Sequence, residues 1–186
     1  MKVALFGGAF DPPHLGHQQI AQKMIEHSIV DEVWYIPVYT HPWADRLGKW
    51  QMAAYEHRKK MVELILTPGT KLMEYQDVSF TYPTLVEFAK NYPEHDFSWV
   101  IGADNLPTFG DWDFYQQIIS EFGVHVYPRR GFILEQLFEG MNLLTDFPEV
   151  VASSTLVREA LNKGESISEL VDLKVEQYIE ENKLYQ

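Results

Sequence analysis

Cysteine is absent from this chain of 186 residues. The sequence can therefore form no disulfide, no thiolate nucleophile and no cysteine-ligated zinc site, and we expect a cytoplasmic protein. Long hydrophobic runs are missing as well, so no stretch stays apolar over the length that a membrane span requires. No positively charged leader followed by an apolar run precedes the first predicted strand, which argues against a secretory signal.

Positive charge is also scarce, because 15 Lys and Arg residues face 27 Asp and Glu residues and the formal net charge is −12. Binding to DNA or RNA needs a surplus of cations to neutralise phosphates, so this balance excludes a nucleic-acid partner. A single nucleotide remains compatible, since a few cations can converge at one site and Mg²⁺ arrives with the nucleotide's phosphates.

Short apolar runs alternate with helical patterns along the chain, and 46% of the residues are hydrophobic. This alternation predicts one α/β domain over residues 1–186, a doubly wound, Rossmann-like parallel sheet with helices on both faces. The predicted strands span residues 3–6, 33–38, 72–78, 97–101, 124–127 and 143–144. The predicted helices span residues 18–27, 53–66, 85–91 and 114–122, and a C-terminal helical segment covers about 154–182.

The first strand is followed by GGAFDPPHLGH at residues 7–17. Gly7 and Gly8 allow a sharp turn and a close approach of backbone to an anion, and free N–H groups at the start of the next helix attract negative charge. His14 and His17 are three residues apart at that helix start, so their side chains face one ligand. This order predicts a nucleotide phosphate site at the carboxyl end of the first strand.

A second helix start carries three hydroxyl residues, Ser153, Ser154 and Thr155, with Arg158 one turn later. An N-cap explains one hydroxyl, but the arginine is then a cation near the positive end of a helix, where a capping box would have Glu or Gln. An anion held between the hydroxyls, the helix N–H groups and the guanidinium would resolve that conflict.

These two segments resemble the GGxFDPxHxGH and ISSTxxR motifs of the nucleotidyltransferase superfamily, and within it the bacterial-type nicotinate mononucleotide adenylyltransferases. Val151 and Ala152 are a mild departure before the serines. The resemblance implies an ATP site in which the two histidines line the α-phosphate and the second motif holds the β- and γ-phosphates. By resemblance, the first part of the site comprises Gly7, Gly8, Ala9, Phe10, His14 and His17, and the second comprises Ser153, Ser154, Thr155 and Arg158.

The middle of the chain carries further similarities to the same family. Gly102 and Asp104 follow a predicted strand, and the resemblance implies that they meet the adenosine ribose. It likewise implies that Trp112 stacks on the pyridine ring and that Thr84 contacts the mononucleotide. From the residues alone, Asp104 also suits a turn cap and Trp112 also suits the core.

The loop after the second strand departs from the family pattern. Family members commonly carry a PPHK-like stretch there, whose lysine reaches the phosphates, but this chain has no lysine at that place. Arg46 or Lys49 are candidates to supply the missing charge. Arg129 and Arg130, after the predicted strand 124–127, are candidates to face the mononucleotide, although single surface arginines usually face water.

The implied reaction is adenylyl transfer, with His14, His17 and Arg158 as the catalytic residues. The 5′-phosphate of nicotinate mononucleotide would attack the α-phosphorus of ATP, and pyrophosphate would leave with Mg²⁺ on its oxygens. Three alternatives stay open: nicotinamide mononucleotide as acceptor, phosphopantetheine as acceptor, or a nucleotide-binding protein without catalysis. The sequence also leaves open whether the chain forms a homo-oligomer.

Overall fold

A computed structural model describes residues 1–39, 52–75, 80–132, 137–145, 147 and 150–185. The strands are β1 Lys2–Gly8, β2 Glu32–Pro37, β3 Thr70–Leu72, β4 Asp96–Gly102, β5 Val124–Tyr127 and β6 Asn142–Leu143. The helices are α1 Leu15–Glu26, α2 Tyr55–Leu64, α3 Thr81–Asn91, α4 Leu106–Phe109, α5 Tyr115–Gln117, α6 Ser154–Lys163 and α7 Leu173–Glu181. A 3₁₀ turn, Ala103–Asn105, precedes α4, and a π turn, Ile118–Phe122, continues α5.

The strands form one sheet in the order β3-β2-β1-β4-β5-β6, and every pair is parallel. The chain moves outward from β1 to β3, then crosses back to β4 on the other side of β1. The strand order therefore reverses between β1 and β4, and ligands of such sheets bind at the carboxyl ends of the strands at this point. Gly8 ends β1 and Gly102 ends β4 at that edge.

Both faces of the sheet are buried, as the apolar run in β1 requires. Val3 and Leu5 point into one core cluster, while Ala4 and Phe6 point into the other. The first of these clusters includes residues of α3 and α4, and the second includes residues of α1, α2, α6 and α7. The predicted doubly wound sheet with helices on both faces is confirmed.

Two local predictions were wrong. The apolar pattern predicts the third strand at residues 72–78, but β3 ends at Leu72, and among the described residues Thr70–Leu72 pairs with β2. Residues 76–78 of that prediction lie outside the described residues. The Pro, Gly and Asp residues within 104–113 predict a loop there. The structure instead has most of the 3₁₀ turn and all of α4 in this range, and the first turn of α4 contains Pro107, a residue favoured there. In the chain as described, no helix has both the length and the hydropathy of a membrane span.

Candidate active site

The loop between β1 and α1 does not use its glycines as expected. Neither Gly7 nor Gly8 has a positive φ, and the left-handed residue of the loop is Phe10, with φ 47°. A Cβ on Gly7 would overlap the Trp99 ring, and a Cβ on Gly8 would crowd the Phe10 ring. These glycines therefore make room for aromatic side chains, and whether they also approach an anion stays a prediction.

His14 and His17 meet at the start of α1, but only His17 lies within the first turn of the helix. His14 is the N-cap in an extended conformation, and the helix begins at Leu15. The two imidazole rings stack with centroids 3.7 Å apart and an interplanar angle of 27°. The backbone N–H of His14 donates to Nδ1 of His17 at 3.1 Å. Neutral His17 therefore carries its ring proton on Nε2, where it can serve as a hydrogen-bond donor.

The electrostatics of this pair keep both rings neutral. Burial, and then the charge of Arg129, lower the pKa of His14 from 6.5 to about 3. Burial, followed by His14 and Arg129, lowers the pKa of His17 well below 6.5. The Phe10 ring, only 2% exposed, meets His17 edge-on at 4.9 Å. The predicted role of Phe10 at the ATP site is therefore one of packing against His17.

The start of α6 docks directly on the loop before α1. Ser153 is the N-cap of α6 and accepts from the Leu156 N–H at 3.1 Å. The Ser154 hydroxyl donates to the Pro12 carbonyl at 2.8 Å. The two motifs, more than 130 residues apart in sequence, thus form one surface at the end of the sheet, and their joint role in phosphate binding stays a prediction.

Arg158 has a partner that the sequence did not reveal. Its Nη1 donates to the Asp11 carbonyl at 2.6 Å and lies 3.9 Å from the Asp11 carboxylate, and its Nη2 donates to Thr155 Oγ1 at 3.4 Å. The conflict between a cation and the positive helix end is therefore already eased within the chain. Exposed Thr155 and the guanidinium still border the surface where phosphates are expected.

Asp104 and Arg129 form an ion pair across the ends of β4 and β5, with 2.6 Å between Oδ2 and Nη1. A Cβ on Gly102 would overlap the Asp104 carboxylate and crowd the Arg129 side chain, so a glycine is needed for this pairing. Arg129 consequently points toward the histidine pair, and its charge contributes to their lowered pKa values. The alternative of an arginine facing only water is wrong for Arg129.

A shallow pocket that is open to solvent adjoins the β1 end. Its lining is mostly apolar and comprises Gly7, Ile36, Pro37, Val38, Tyr39, Tyr75, Phe80, Thr81, Thr84 and Trp99. Thr84 lies in this wall, and its hydroxyl donates to the Phe80 carbonyl at 2.8 Å, so its contact with the mononucleotide stays a prediction. Trp112 packs on Phe109, with centroids 5.0 Å apart, and within the described ranges it is not part of this wall.

Sequence reasoning missed Arg58, a charged residue of α2 that is 1% exposed. Its guanidinium donates to three carbonyl oxygens, those of Ala9 at 2.7 Å, Ala53 at 2.9 Å and Tyr39 at 3.1 Å. Burial lowers the pKa of Arg58, which the charge of Asp11 counteracts. The sequence assigns Arg58 no role, because its hydrogen-bond acceptors are all backbone oxygens, which residue type does not identify.

The remaining predicted site residues divide into two groups. Arg130 is exposed after β5, and the part of the chain that the structure describes offers it no ion pair. Arg46 and Lys49 lie outside the described residues. Asp11 lies within the first motif, and the sequence analysis assigns it no role. An acidic residue inside a predicted anion-binding loop is nevertheless a signal that its side chain points away from the anion.

The chemistry available here is the binding and polarisation of phosphate. A neutral Nε2–H donor, a helix N-terminus on either side and the nearby guanidinium groups of Arg129 and Arg158 all lie at one edge of the sheet. Such donors stabilise charge that develops on phosphoryl oxygens during in-line displacement. This arrangement needs no nucleophilic side chain.

Comparisons with known proteins agree with this chemistry. The cytidylyltransferase-like family model matches residues 5–160. A "Probable nicotinate-nucleotide adenylyltransferase" of Halalkalibacterium halodurans is 32% identical and covers 99% of this chain and 91% of its own length. Another protein of that name, from Exiguobacterium sibiricum, is 34% identical and covers 100% of this chain and 99% of its own.

Solved structures share the fold. The nicotinic acid mononucleotide adenylyltransferase of Plasmodium falciparum, complexed with NaAD, has a TM-score of 0.83 to this chain. It covers 99% of this chain and 97% of its own, at 20% sequence identity. The six-stranded parallel sheet is therefore retained even where little sequence is shared.

Proposed function

The chain belongs to the nicotinate-nucleotide adenylyltransferases, within the cytidylyltransferase-like family, and we propose that its two docked helix starts form the MgATP site of that reaction. The enzyme is a nucleotidyltransferase that joins ATP and nicotinate mononucleotide to give deamido-NAD. An oxygen of the mononucleotide 5′-phosphate forms a bond to the α-phosphorus of ATP, the bond from that phosphorus to the bridging oxygen breaks, and pyrophosphate leaves. The lack of cysteine supports a cytoplasmic location.

One observation carries the assignment of roles: the neutral stacked histidine pair at the start of α1 lies beside the docked start of α6. His17 donates its Nε2–H to an α-phosphate oxygen, and His14 orients it through its backbone N–H and its stacked ring. The phosphate nucleophile is already ionised near neutral pH, so no general base is required. Ser153, Ser154, Thr155 and Arg158 contact the β- and γ-phosphates, and Mg²⁺ enters as part of the substrate.

The mononucleotide occupies the apolar pocket and the surface around it. Thr84 and Trp112 contact the pyridine nucleotide, and Asp104 contacts the adenosine ribose after leaving Arg129. Arg129 then has a guanidinium available for phosphate oxygens. Arg46 and Lys49 stay candidates for the charge that a lysine supplies elsewhere in the family, and Arg130 stays a candidate to face the mononucleotide.

The proposal is tested by pyrophosphate release from MgATP with nicotinate mononucleotide, nicotinamide mononucleotide or phosphopantetheine as acceptor. We expect the highest kcat/KM with nicotinate mononucleotide. Preference for either other acceptor would reassign the substrate. Binding of MgATP without pyrophosphate release from any of the three would identify a nucleotide-binding protein without catalysis.

His17 variants test the chemical role in the same assay. Replacement by Ala removes the donor, and we expect kcat to fall about 10²- to 10³-fold, the loss typical of one donor to a developing charge. His17→Gln retains an N–H donor and should recover part of this loss. Because the ring also packs on Phe10 and His14, both variants need a melting curve, and equal kcat values for Ala and wild type would remove the assignment.

A further inference from the structure

Three other segments of the chain meet at Asp11, a residue with no exposed surface. Its Oδ1 accepts from the Ala53 N–H at 3.0 Å, just before α2, and from the Tyr185 hydroxyl at 2.7 Å, after α7. Its carbonyl accepts from Arg158 of α6. A buried carboxylate is costly unless hydrogen bonds and cations compensate it, so this convergence fixes Asp11 strongly.

Asp11 has one oxygen left for Arg158. Oδ2 makes no hydrogen bond within the described part of the chain and lies 3.9 Å from Nη1 of Arg158. The carbonyl and the carboxylate of one residue thus both face the same guanidinium. Any rotation of the Asp11 side chain would move the negative charge that Arg158 faces.

The chain after α7 adopts an unusual backbone to bring Tyr185 to this point. Lys183 has φ 49° and Tyr185 has φ 63°, both in the left-handed region that bulky residues rarely adopt. Such conformations persist only where surrounding contacts compensate their cost, and they concentrate at functional sites. The Asp11 loop contains a third left-handed residue, Phe10.

We propose that Tyr185 and Asp11 are positioning residues for Arg158 in the adenylyl-transfer site. The Tyr185 hydroxyl fixes the Asp11 carboxylate, and Asp11 holds the guanidinium at the start of α6, directed toward the β- and γ-phosphates. Neither residue touches the substrate. This inference rests on the proposed function, because it assumes that Arg158 binds ATP.

The protonation of Asp11 gives the proposal a specific signature. The titratable groups that face it are Arg158 of α6, Arg58 of α2 and Tyr185 after α7. Burial raises the pKa of Asp11, while the Tyr185 hydrogen bond and both arginines oppose that rise. Removal of the Tyr185 hydroxyl therefore raises the pKa further, and Asp11 loses its charge at a higher pH than in the wild type.

Tyr185→Phe, with Tyr178→Phe as the matched control, tests the inference. Tyr178 lies on α7, and its hydroxyl makes a partly buried hydrogen bond with His57 Nδ1 at 3.0 Å. The control therefore deletes the same group from the same part of the chain. In Tyr185→Phe we expect the KM for ATP to rise about fivefold with the KM for the mononucleotide unchanged. The acidic limb of kcat/KM for ATP should move to higher pH.

Neither effect should occur in Tyr178→Phe, and a merely structural role for Tyr185 would not move the pH limb. If both variants lower the melting temperature equally and match the wild type in KM and pH profile, the inference is wrong. Calorimetric binding of a non-hydrolysable MgATP analogue separates this result from failure of the proposed function. If the wild type is inactive in adenylyl transfer but Tyr185→Phe alone binds the analogue more weakly, the proposed function is wrong and the positioning role is retained.

Discussion

At the scale of single residues, the protonation of His17 follows from one backbone contact. The His14 N–H occupies Nδ1 of His17, so the proton is on Nε2, and burial keeps the ring from gaining a second proton. A neutral donor can polarise a phosphate oxygen without forming the tight ion pair that a protonated ring would form. The sequence predicts both histidines but gives neither tautomer nor charge, because both depend on burial.

The protonation states give a pH prediction. Because the folded-state pKa of His14 is lowered to about 3 and that of His17 well below 6.5, neither ring should gain a proton as the pH falls from 8 to 6.5. The unfolded chain does bind those protons, so the free energy of unfolding should decrease as the pH falls through about 6.5.

Two-bond ¹H–¹⁵N correlation spectra measure the ring states directly. His17 should show the pattern of the Nε2–H tautomer throughout this pH range, with urea unfolding at several pH values as the second measurement. An imidazolium pattern of His17 near pH 6.5 would contradict the neutral pair.

Tryptophan fluorescence tests which indole meets the pyridine ring. Trp99 is 6% exposed, with its ring against Gly7, whereas Trp112 is only partly buried beside Phe109. If Trp112 stacks on the ring, nicotinate mononucleotide should quench wild-type emission, and the quench should largely disappear in Trp112→Phe while persisting in Trp99→Phe. The reverse pattern would move the pyridine ring to the Trp99 wall of the pocket.

At the scale of elements, periodicity predicts the strands that the core requires. Strand β5 has the predicted bounds, 124–127, and β1 and β4 each extend one residue or more beyond the predicted run. The apolar alternation continues after Leu72, and for that reason the pattern predicts a longer β3. The structure pairs only Thr70–Leu72 of the described residues with β2, and Met73 adds one hydrogen bond to the Tyr35 carbonyl. Pairing is a tertiary property that one segment's pattern does not contain.

The candidate site was predictable for its helix starts and less so for their contacts. The sequence predicts a hydroxyl cap at this helix start, and the structure identifies it as Ser153. Ser154 and Arg158 both contact the loop before α1, and their contacts with phosphate stay a prediction. Arg58 donates to three carbonyl oxygens and Arg158 donates to that of Asp11, and every residue carries a carbonyl oxygen. Residue type therefore holds no information about such pairings.

The cap on α6 carries a stability prediction. Ser153→Ala removes the acceptor for the Leu156 N–H, and we expect the free energy of unfolding to decrease by about 1 kcal/mol. Ser153→Asn restores a capping oxygen and should recover most of that loss. Urea denaturation measures both, and equal stability of the Ala variant and the wild type would show that the cap contributes nothing here.

At the scale of the whole molecule, three arginines gather at one edge of the sheet although the chain as a whole is acidic. The chain carries a formal net charge of −12, yet Arg58, Arg129 and Arg158 converge on the edge of the sheet where β1 and β4 end. An acidic chain whose arginines cluster at this edge suits a small polyanion that arrives with Mg²⁺, and it disfavours extended nucleic acid.

A ligand that bridges the two helix starts should stabilise the entire fold, because they come from opposite ends of the sequence. At 100 times its Kd, a non-hydrolysable MgATP analogue should add about 2.7 kcal/mol. For a chain of this size, that is an increase in Tm of roughly 5–10 °C. Arg158→Ala should lose most of this increase, whereas exposed Arg130→Ala, the matched control, should retain it. The shift on ligand addition is compared within each variant, since Arg158→Ala also loses its contact with Asp11. A full shift in Arg158→Ala would mean that ATP does not bridge the two motifs.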